Sequence, residues 1–348
     1  MNDTPKDLGY RFPAEWEKQQ STWLTFPQNT ETWPNEQLAN AQKSYYQLIK
    51  EIAKGQKVNL LVNDLATESQ VKIHLDKINT SLANVHFHQI QSNDAWLRDS
   101  GPSFLINPEA EAKKIIINWQ YNAWGGKYPP FEADNQIPER IAEMLNIPIF
   151  TVPIVMEGGS VEFNGQGTLL TTRHCLLNPN RNPHLTQSQI EQYLYDYYAV
   201  SQVLWLGDGI VGDDTDGHID DIVRFINADT VITVVEQNPN DDNYTILQEN
   251  LAELKTLRLP NDKPLNIIEL PMPKPFYVFG ERMPASYANF LITNQSIIVP
   301  TFECDEDEQA ILILEKCFPS REVVGIDSRE IIWGLGSFHC LSQQEPAI

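Results

Sequence analysis

The sequence predicts an α/β protein assembled by internal repetition, a single domain over residues 1–348. Three observations predict it. Strand-like apolar runs alternate with amphipathic helices along the chain. The alternation recurs five times, at a spacing of about sixty residues, somewhat longer than common repeat periods. No long linker interrupts it. With 41% hydrophobic and 10% aromatic residues over 348 positions, the chain can bury a large core.

A Trp- and Pro-rich entry (Trp16, Trp23, Pro27, Trp33, Pro34) leads into a helix whose apolar face is Leu38, Ala41, Tyr45, Leu48, Ile49 and Ile52, ended by Gly55. Five units then follow. Their first strands are Val58–Val62, Ile115–Trp119, Thr168–Thr172, Val231–Val235 and Ile297–Pro300. Helical faces come next, at Val71, Leu75 and Ile78; Ile137, Ile141, Met144 and Leu145; Ile190, Tyr193, Leu194, Tyr197 and Tyr198; Leu247, Leu251, Leu254 and Leu257; and Ala310, Ile313, Leu314 and Cys317. Thr67 with Gln70 and Thr186 with Gln189 read as capping boxes, which satisfy free backbone donors at helix starts. The closing strands are Val85–His88, Pro148–Val152, Val203–Leu206, Asn266–Leu270 and Glu322–Ile326.

The net charge of −22 excludes the basic surface that nucleic acids and anionic membranes require. The N-terminus, from Met1 to Asp7, is polar with no apolar signal region behind it, and no run reaches membrane-span length. Four scattered cysteines (Cys175, Cys304, Cys317, Cys340) suit neither a disulfide scaffold nor a zinc site, so a cytoplasmic location is expected. Monomer and homo-oligomer both stay open.

The unusual residues follow each unit. They are Asn93–Pro102, Met156–Ser160, Asp213–Asp221, Ala285–Phe290 and a last turn, Gly334–Gln344, where the apolar strand pattern Glu330–Trp333 breaks into glycine. Repeats packed around an axis would bring these segments together, lining a pocket with carboxylates, one histidine and one cysteine. Each has a bland alternative. Asp99 beside Arg98 could be a surface ion pair, Glu157 an ordinary turn carboxylate, and Cys340 a buried hydrophobe. His218 and Asp220, two apart on an extended segment, would point the same way, but no second pair completes a metal site. The aspartates from Asp213 to Asp221 lack the loop length and terminal glutamate of a calcium loop. Together the residues describe a nucleophilic cysteine, a proton-moving histidine and carboxylates that hold a cation. Carboxylates disfavour a thiolate, so a cationic substrate is needed to compensate them. A guanidinium, planar and permanently charged, fits paired carboxylates.

These motifs, with Asn122–Tyr128, Leu177–Pro183 and His339–Cys340 followed by Gln343–Gln344, resemble the agmatine deiminases of the pentein (amidinotransferase) superfamily, near the bacterial peptidyl-arginine-deiminase-like proteins. The resemblance implies a five-bladed α/β propeller and no metal or organic cofactor. It implies that Cys340 attacks the guanidinium carbon, that His218 protonates departing ammonia and then activates water, and that Glu157 orients and charge-stabilises His218. Asp99 and Asp220 would grip the guanidinium nitrogens, with Trp96 packing beside the substrate. With agmatine the product would be N-carbamoylputrescine. The chain departs from the plant-like relatives at Leu335, where they carry a glycine, at Asp213, where they carry Glu, in the Lys127–Phe131 loop, and in a shorter Pro271–Met283 segment. These departures bear on the substrate's far end. Arginine or a C-terminal peptidyl arginine is therefore an alternative, marked by a cation such as Lys127 or Arg173 at that end. A non-catalytic binding protein on the same fold is the alternative of another class.

Overall fold

A computed structural model of the protein describes residues 3–348. Met1 and Asn2, the start of the polar run at the N-terminus, lie outside the described residues. Five sheets of three or four strands carry the architecture, with two small two-stranded ribbons beside them. The second sheet shows the rule. Ser103–Ile106 runs antiparallel to Lys114–Gln120, which pairs in parallel with Ile149–Val155. A parallel partner needs a crossover, and the helix Ile137–Leu145 supplies it.

The next three sheets repeat this order. Val161–Phe163, Thr168–Thr172 and Gln202–Leu206 are crossed by the helix Gln187–Tyr197. Val223–Asn227, Thr230–Val235 and Asn266–Pro271 are crossed by Tyr244–Thr256. Leu291–Ile292, Ser296–Thr301 and Glu322–Asp327 are crossed by Glu306–Cys317. The first sheet joins the two ends of the chain. Ser342–Pro346 lies antiparallel to Gln19–Thr25, followed in parallel by Lys57–Val62 and Val85–Gln89. The last strand thus becomes the inner strand of the first blade of a five-bladed α/β propeller.

The helical periodicities translate directly into packing. Ala41, Tyr45, Leu48, Ile49 and Ile52 of the helix Gln37–Gly55 are all fully buried. At roughly 1.5–3 kcal/mol per large apolar side chain, such a face suffices to hold a helix on its sheet. The middle strands, covered on both faces, read as continuous apolar runs such as Ile115–Ile117. Thr186 and Gln189 form the expected capping box.

Four local expectations need correction. The first blade has a further strand pair, Gln19–Thr25 and Ser342–Pro346, which periodicity does not reveal because much of it is polar. Its buried polar groups are matched instead: Glu345 accepts from Ser21 Oγ at 2.5 Å and Trp23 Nε1 at 3.0 Å, and pairs with Lys114 Nζ at 2.6 Å. The helix Leu65–Lys77 is capped by Asp64, whose carboxylate accepts from Thr67 N at 2.7 Å, so Thr67 lies inside the helix rather than at its cap. Ile331–Gly334 is a 3-10 turn, not a strand. His218 is extended, but Ile219–Asp221 coils into another 3-10 turn.

Candidate active site

Between the outer strand of each blade and the inner strand of the next, the chain makes one short helical turn: Leu97–Ser100, Gly158–Ser160, Ile219–Asp221, Tyr287–Asn289 and Ile331–Gly334. Four of these turns, with the Cys340 segment that follows the fifth, meet at the hub. They bring Asp99, Glu157, His218, Asp220 and Cys340 together, all buried.

Close approach at the hub depends on glycine. A Cβ on Gly159 would sit 2.6 Å from His218 Nδ1 and 2.8 Å from Asp99 Oδ1. One on Gly336 would sit 2.6 Å from Trp96 and 3.1 Å from the Cys340 Cβ. Beside it, Leu335 takes the left-handed conformation at φ 68°, which a glycine adopts without strain. The glycine of the plant-like relatives would therefore fit the same backbone.

Asp99 is held from two sides. Gly159 N donates to Oδ1 at 2.9 Å and Trp124 Nε1 to Oδ2 at 3.0 Å. Burial pushes its carboxyl up to about 6, against the pull of His218 3.7 Å away. Burial likewise disfavours a charged His218, but Asp99, Cys175 and Asp220 outweigh it and hold the imidazole well above its ordinary value. At neutral pH the pair is an imidazolium beside a carboxylate. Neither ring nitrogen of His218 has a hydrogen-bond partner among the described residues.

Glu157 accepts from Arg181 Nε at 2.6 Å through one oxygen, while the other has no hydrogen-bond partner. Its carboxylate, Cys175 Sγ and a His218 ring nitrogen lie within 4.8 Å of one another. The expected contact of Glu157 with His218 is thus proximity without a hydrogen bond. Asp220 Oδ2 lies 2.7 Å from His339 Nδ1 and 3.7 Å from Cys340 Sγ, and its Oδ1 is unpartnered. Burial drives the Cys340 thiol well above its usual value, with Asp220, Asp221 and Asp99 adding to the rise. The thiolate is disfavoured here, as the ring of carboxylates predicts.

Three partners carry no assigned role in the sequence reading. Asn289 Nδ2 donates to Cys340 Sγ and to Asp221 Oδ1, both at 2.9 Å. Arg181 joins Glu157 to Asp216 Oδ2, the latter at 2.5 Å. Trp124 reaches Asp99 from a turn in which Ala123, Trp124 and Gly125 all have positive φ. Their segments stand out in the sequence, but which atom each side chain meets depends on the closed ring. Asp213 proves to be a loop anchor, accepting from Thr215 N, Gly217 N and His218 N.

A cleft of about 700 Å³ leads down to Cys340, Asp99 and Trp96. Trp96 packs on Trp33 with ring centroids 5.4 Å apart. Above them the wall carries Glu31, Asp94, Asp134 and Asp214, with Tyr128 donating to Asp214. Among the described residues, Lys127 is the one cation that lines the cleft. It donates to the Asp214 carbonyl and pairs with Asp216 at 3.0 Å. Arg173 lies away from the cleft lining and pairs with Glu253 at 2.8 Å.

A thiol, an imidazole and facing carboxylates meet at the hub of the five-bladed α/β propeller, a set suited to covalent chemistry on a guanidinium. Residues 11–346 match the Porphyromonas-type peptidyl-arginine deiminase family, and the chain belongs to that family. It is 37% identical to the agmatine deiminase of Pseudomonas syringae pv. tomato, over 100% of this chain and 98% of that protein. It superposes on a structure of Enterococcus faecalis agmatine deiminase catalysing its reaction with a TM-score of 0.92, at 32% identity over 99% of this chain and 98% of the other. A serine-for-cysteine variant of C. jejuni agmatine deiminase with substrate bound matches with a TM-score of 0.88, at 32% identity over 97% and 96% of the two chains.

Proposed function

We propose that this protein is an agmatine deiminase, which hydrolyses the guanidinium of agmatine to N-carbamoylputrescine and ammonia. The observation that carries the choice of substrate is the charge of the cleft. Its wall bears Glu31, Asp94, Asp134 and Asp214, while Lys127 is engaged by Asp216 and the Asp214 carbonyl. An amine at the substrate's far end meets acceptors there; the α-carboxylate of arginine meets no free cation among the described residues. Burial raises Asp94 and Asp214, and lifts Asp134 to about 7. An entering amine draws them toward their ionised forms.

At the hub the guanidinium lies between Asp99 and the free Oδ1 of Asp220. Its charge compensates the carboxylates that otherwise suppress the Cys340 thiolate. The thiolate adds to the guanidinium carbon, giving a tetrahedral adduct. His218, already protonated, gives its proton to the departing nitrogen, and ammonia leaves behind an amidino-cysteine. The neutral His218 then takes a proton from water as the water attacks the same carbon. Collapse expels the thiolate and leaves the ureido product. Arg181 holds the Glu157 carboxylate in place beside His218, and Asn289 orients the sulfur.

The reading places the reaction in polyamine (putrescine) biosynthesis and the protein in the cytoplasm. All four cysteines are unpaired, and no helix among the described residues is long and apolar enough to cross a membrane. Ammonia release from agmatine, butylguanidine, arginine and a peptide ending in arginine tests the substrate. Agmatine is expected to exceed butylguanidine at least tenfold in kcat/KM, and arginine by about 10²-fold or more. A preference for arginine or the peptide overturns the reading.

A further inference from the structure

The segment ahead of the first strand passes beneath the hub and buries Glu15 there. Glu15 Oε1 accepts from Ile292 N at 2.7 Å. Its Oε2 pairs with the buried Arg224 and lies 3.1 Å from His339 Nε2. The other ring nitrogen of His339 lies 2.7 Å from Asp220 Oδ2. A carboxylate–imidazole–carboxylate line therefore runs from Glu15, outside the cleft lining, to the buried and unpartnered Oδ1 of Asp220 beside Cys340.

We infer that Glu15 is a positioning residue: through His339 it fixes the orientation and negative charge of Asp220, the carboxylate that receives the substrate's guanidinium. The inference rests on the function proposed above. Ionised carboxylates only accept hydrogen bonds, so an imidazole between two of them must donate from both nitrogens. Burial opposes a charged Glu15, but Arg224 and His339 outweigh it and keep it ionised. Burial opposes a charged Asp220 too, and there the His339 bond and charge prevail. The imidazole thus offers Asp220 a donor of fixed orientation only while Glu15 holds its far side. The 2.7 Å bond also stops the Asp220 carboxylate from rotating, which keeps Oδ1 turned toward the site. Arg98 steadies the same turn, donating to the His339 carbonyl at 3.2 Å. The arrangement resembles the outer support of a metal-bound or catalytic histidine, with a carboxylate choosing the proton state of a ring that serves another group.

The test uses Glu15→Gln, His339→Asn and their combination in the full-length protein. Asn retains an amide donor toward Asp220 but cannot link to Glu15. Each single variant is expected to raise KM for agmatine about tenfold while kcat falls less than about threefold, the signature of weakened substrate binding. The combination is expected to add less than about twofold to either, because both act along one path. Effects on KM that multiply, or a wild-type KM in either single variant, overturn the proposal. Glu15→Gln also takes a partner from Arg224 and lowers Tm in both backgrounds, so Tm alone decides nothing about the relay. Nitrogen-15 NMR of the His339 ring at pH 7 supplies a readout that needs no turnover. Two ring N–H groups are expected in the wild type and one in Glu15→Gln; two in both proteins overturn the relay. A wild-type protein that releases no ammonia from any guanidine overturns the functional reading instead, and the ring protons still decide the relay.

Discussion

Burial and neighbouring carboxylates suppress the Cys340 thiolate. The thiol is buried among Asp220, Asp221 and Asp99, against which a backbone hydrogen bond at Ser337 and the Asn289 amide favour the thiolate. A cationic haloacetamidine is therefore expected to alkylate Cys340 at neutral pH at least tenfold faster than a neutral haloacetamide, with Cys175, Cys304 and Cys317 showing no such preference. Equal rates for the two reagents, read by peptide mass spectrometry, refute the compensation argument. Asp99 titrates within reach of ordinary assays because burial lifts it to about 6. Guanidinium binding needs its ionised form, so kcat/KM should fall about tenfold per pH unit below that value. Asp99→Asn should lower kcat/KM by about 10²-fold and remove this limb; a limb that survives assigns it to another group. At this scale the sequence singled out Asp99, Glu157, His218, Asp220 and Cys340, which the fold brings together at the hub, because carboxylates, histidine and cysteine beside glycines are chemically conspicuous. It did not assign Asn289, Arg181, Trp124 or His339, whose roles consist of touching another site residue from a different blade.

The repeated turn is the working element. Each blade ends in a parallel strand that points the chain at the hub, and a connection carrying one short helical turn reverses it into the next inner strand. Gly158–Ser160 is packed tightly enough that its glycines are structural requirements: a Cβ on Gly158 would lie 2.1 Å from the Arg98 carbonyl oxygen. Gly159→Ala, which drives a methyl between His218 and Asp99, is expected to reduce kcat at least 10²-fold while lowering Tm by only a few degrees. Near-wild-type kcat in this variant refutes the packing of His218 against Asp99. Helices were legible in the sequence because each carries an apolar stripe at the 3.6-residue period. Gln19–Thr25 and Ser342–Pro346 were not, since their buried Gln, Ser and Glu side chains satisfy one another only after the two ends of the chain have met. The turn Ile331–Gly334 misread as strand for the opposite reason: a short apolar run has no period of its own.

For the whole molecule, burial of ionisable groups gives stability a pH dependence of mixed sign. Asp134 at about 7 and Asp99 at about 6 bind protons that the unfolded chain has already released near 3.8. Folded protein then holds more protons than unfolded, and stability falls as pH rises from about 4 to 7. Glu15 and Asp220 are held low, and Asp216 lies at about 2. Their contribution is present above about pH 4 and disappears as pH falls through their folded values. Tm should therefore peak near about pH 4, declining from there toward pH 7 and falling again at lower pH. A Tm that climbs steadily from pH 5 to 8 contradicts these assignments. The repeat count and the hub were readable from sequence because the same pattern returns five times; closure by the C-terminal strand was not, because nothing in that polar strand announces its partner. All of this serves one chemical claim, that the hub makes a covalent amidino adduct from agmatine. Acid-quenched steady-state turnover, followed by intact and peptide mass measurement, tests it most directly. The peptide bearing Cys340 is expected to carry the mass of agmatine less ammonia, and Cys340→Ser to lose both adduct and ammonia release. Active turnover of agmatine by Cys340→Ser, or the adduct on Cys175 in place of Cys340, would contradict it.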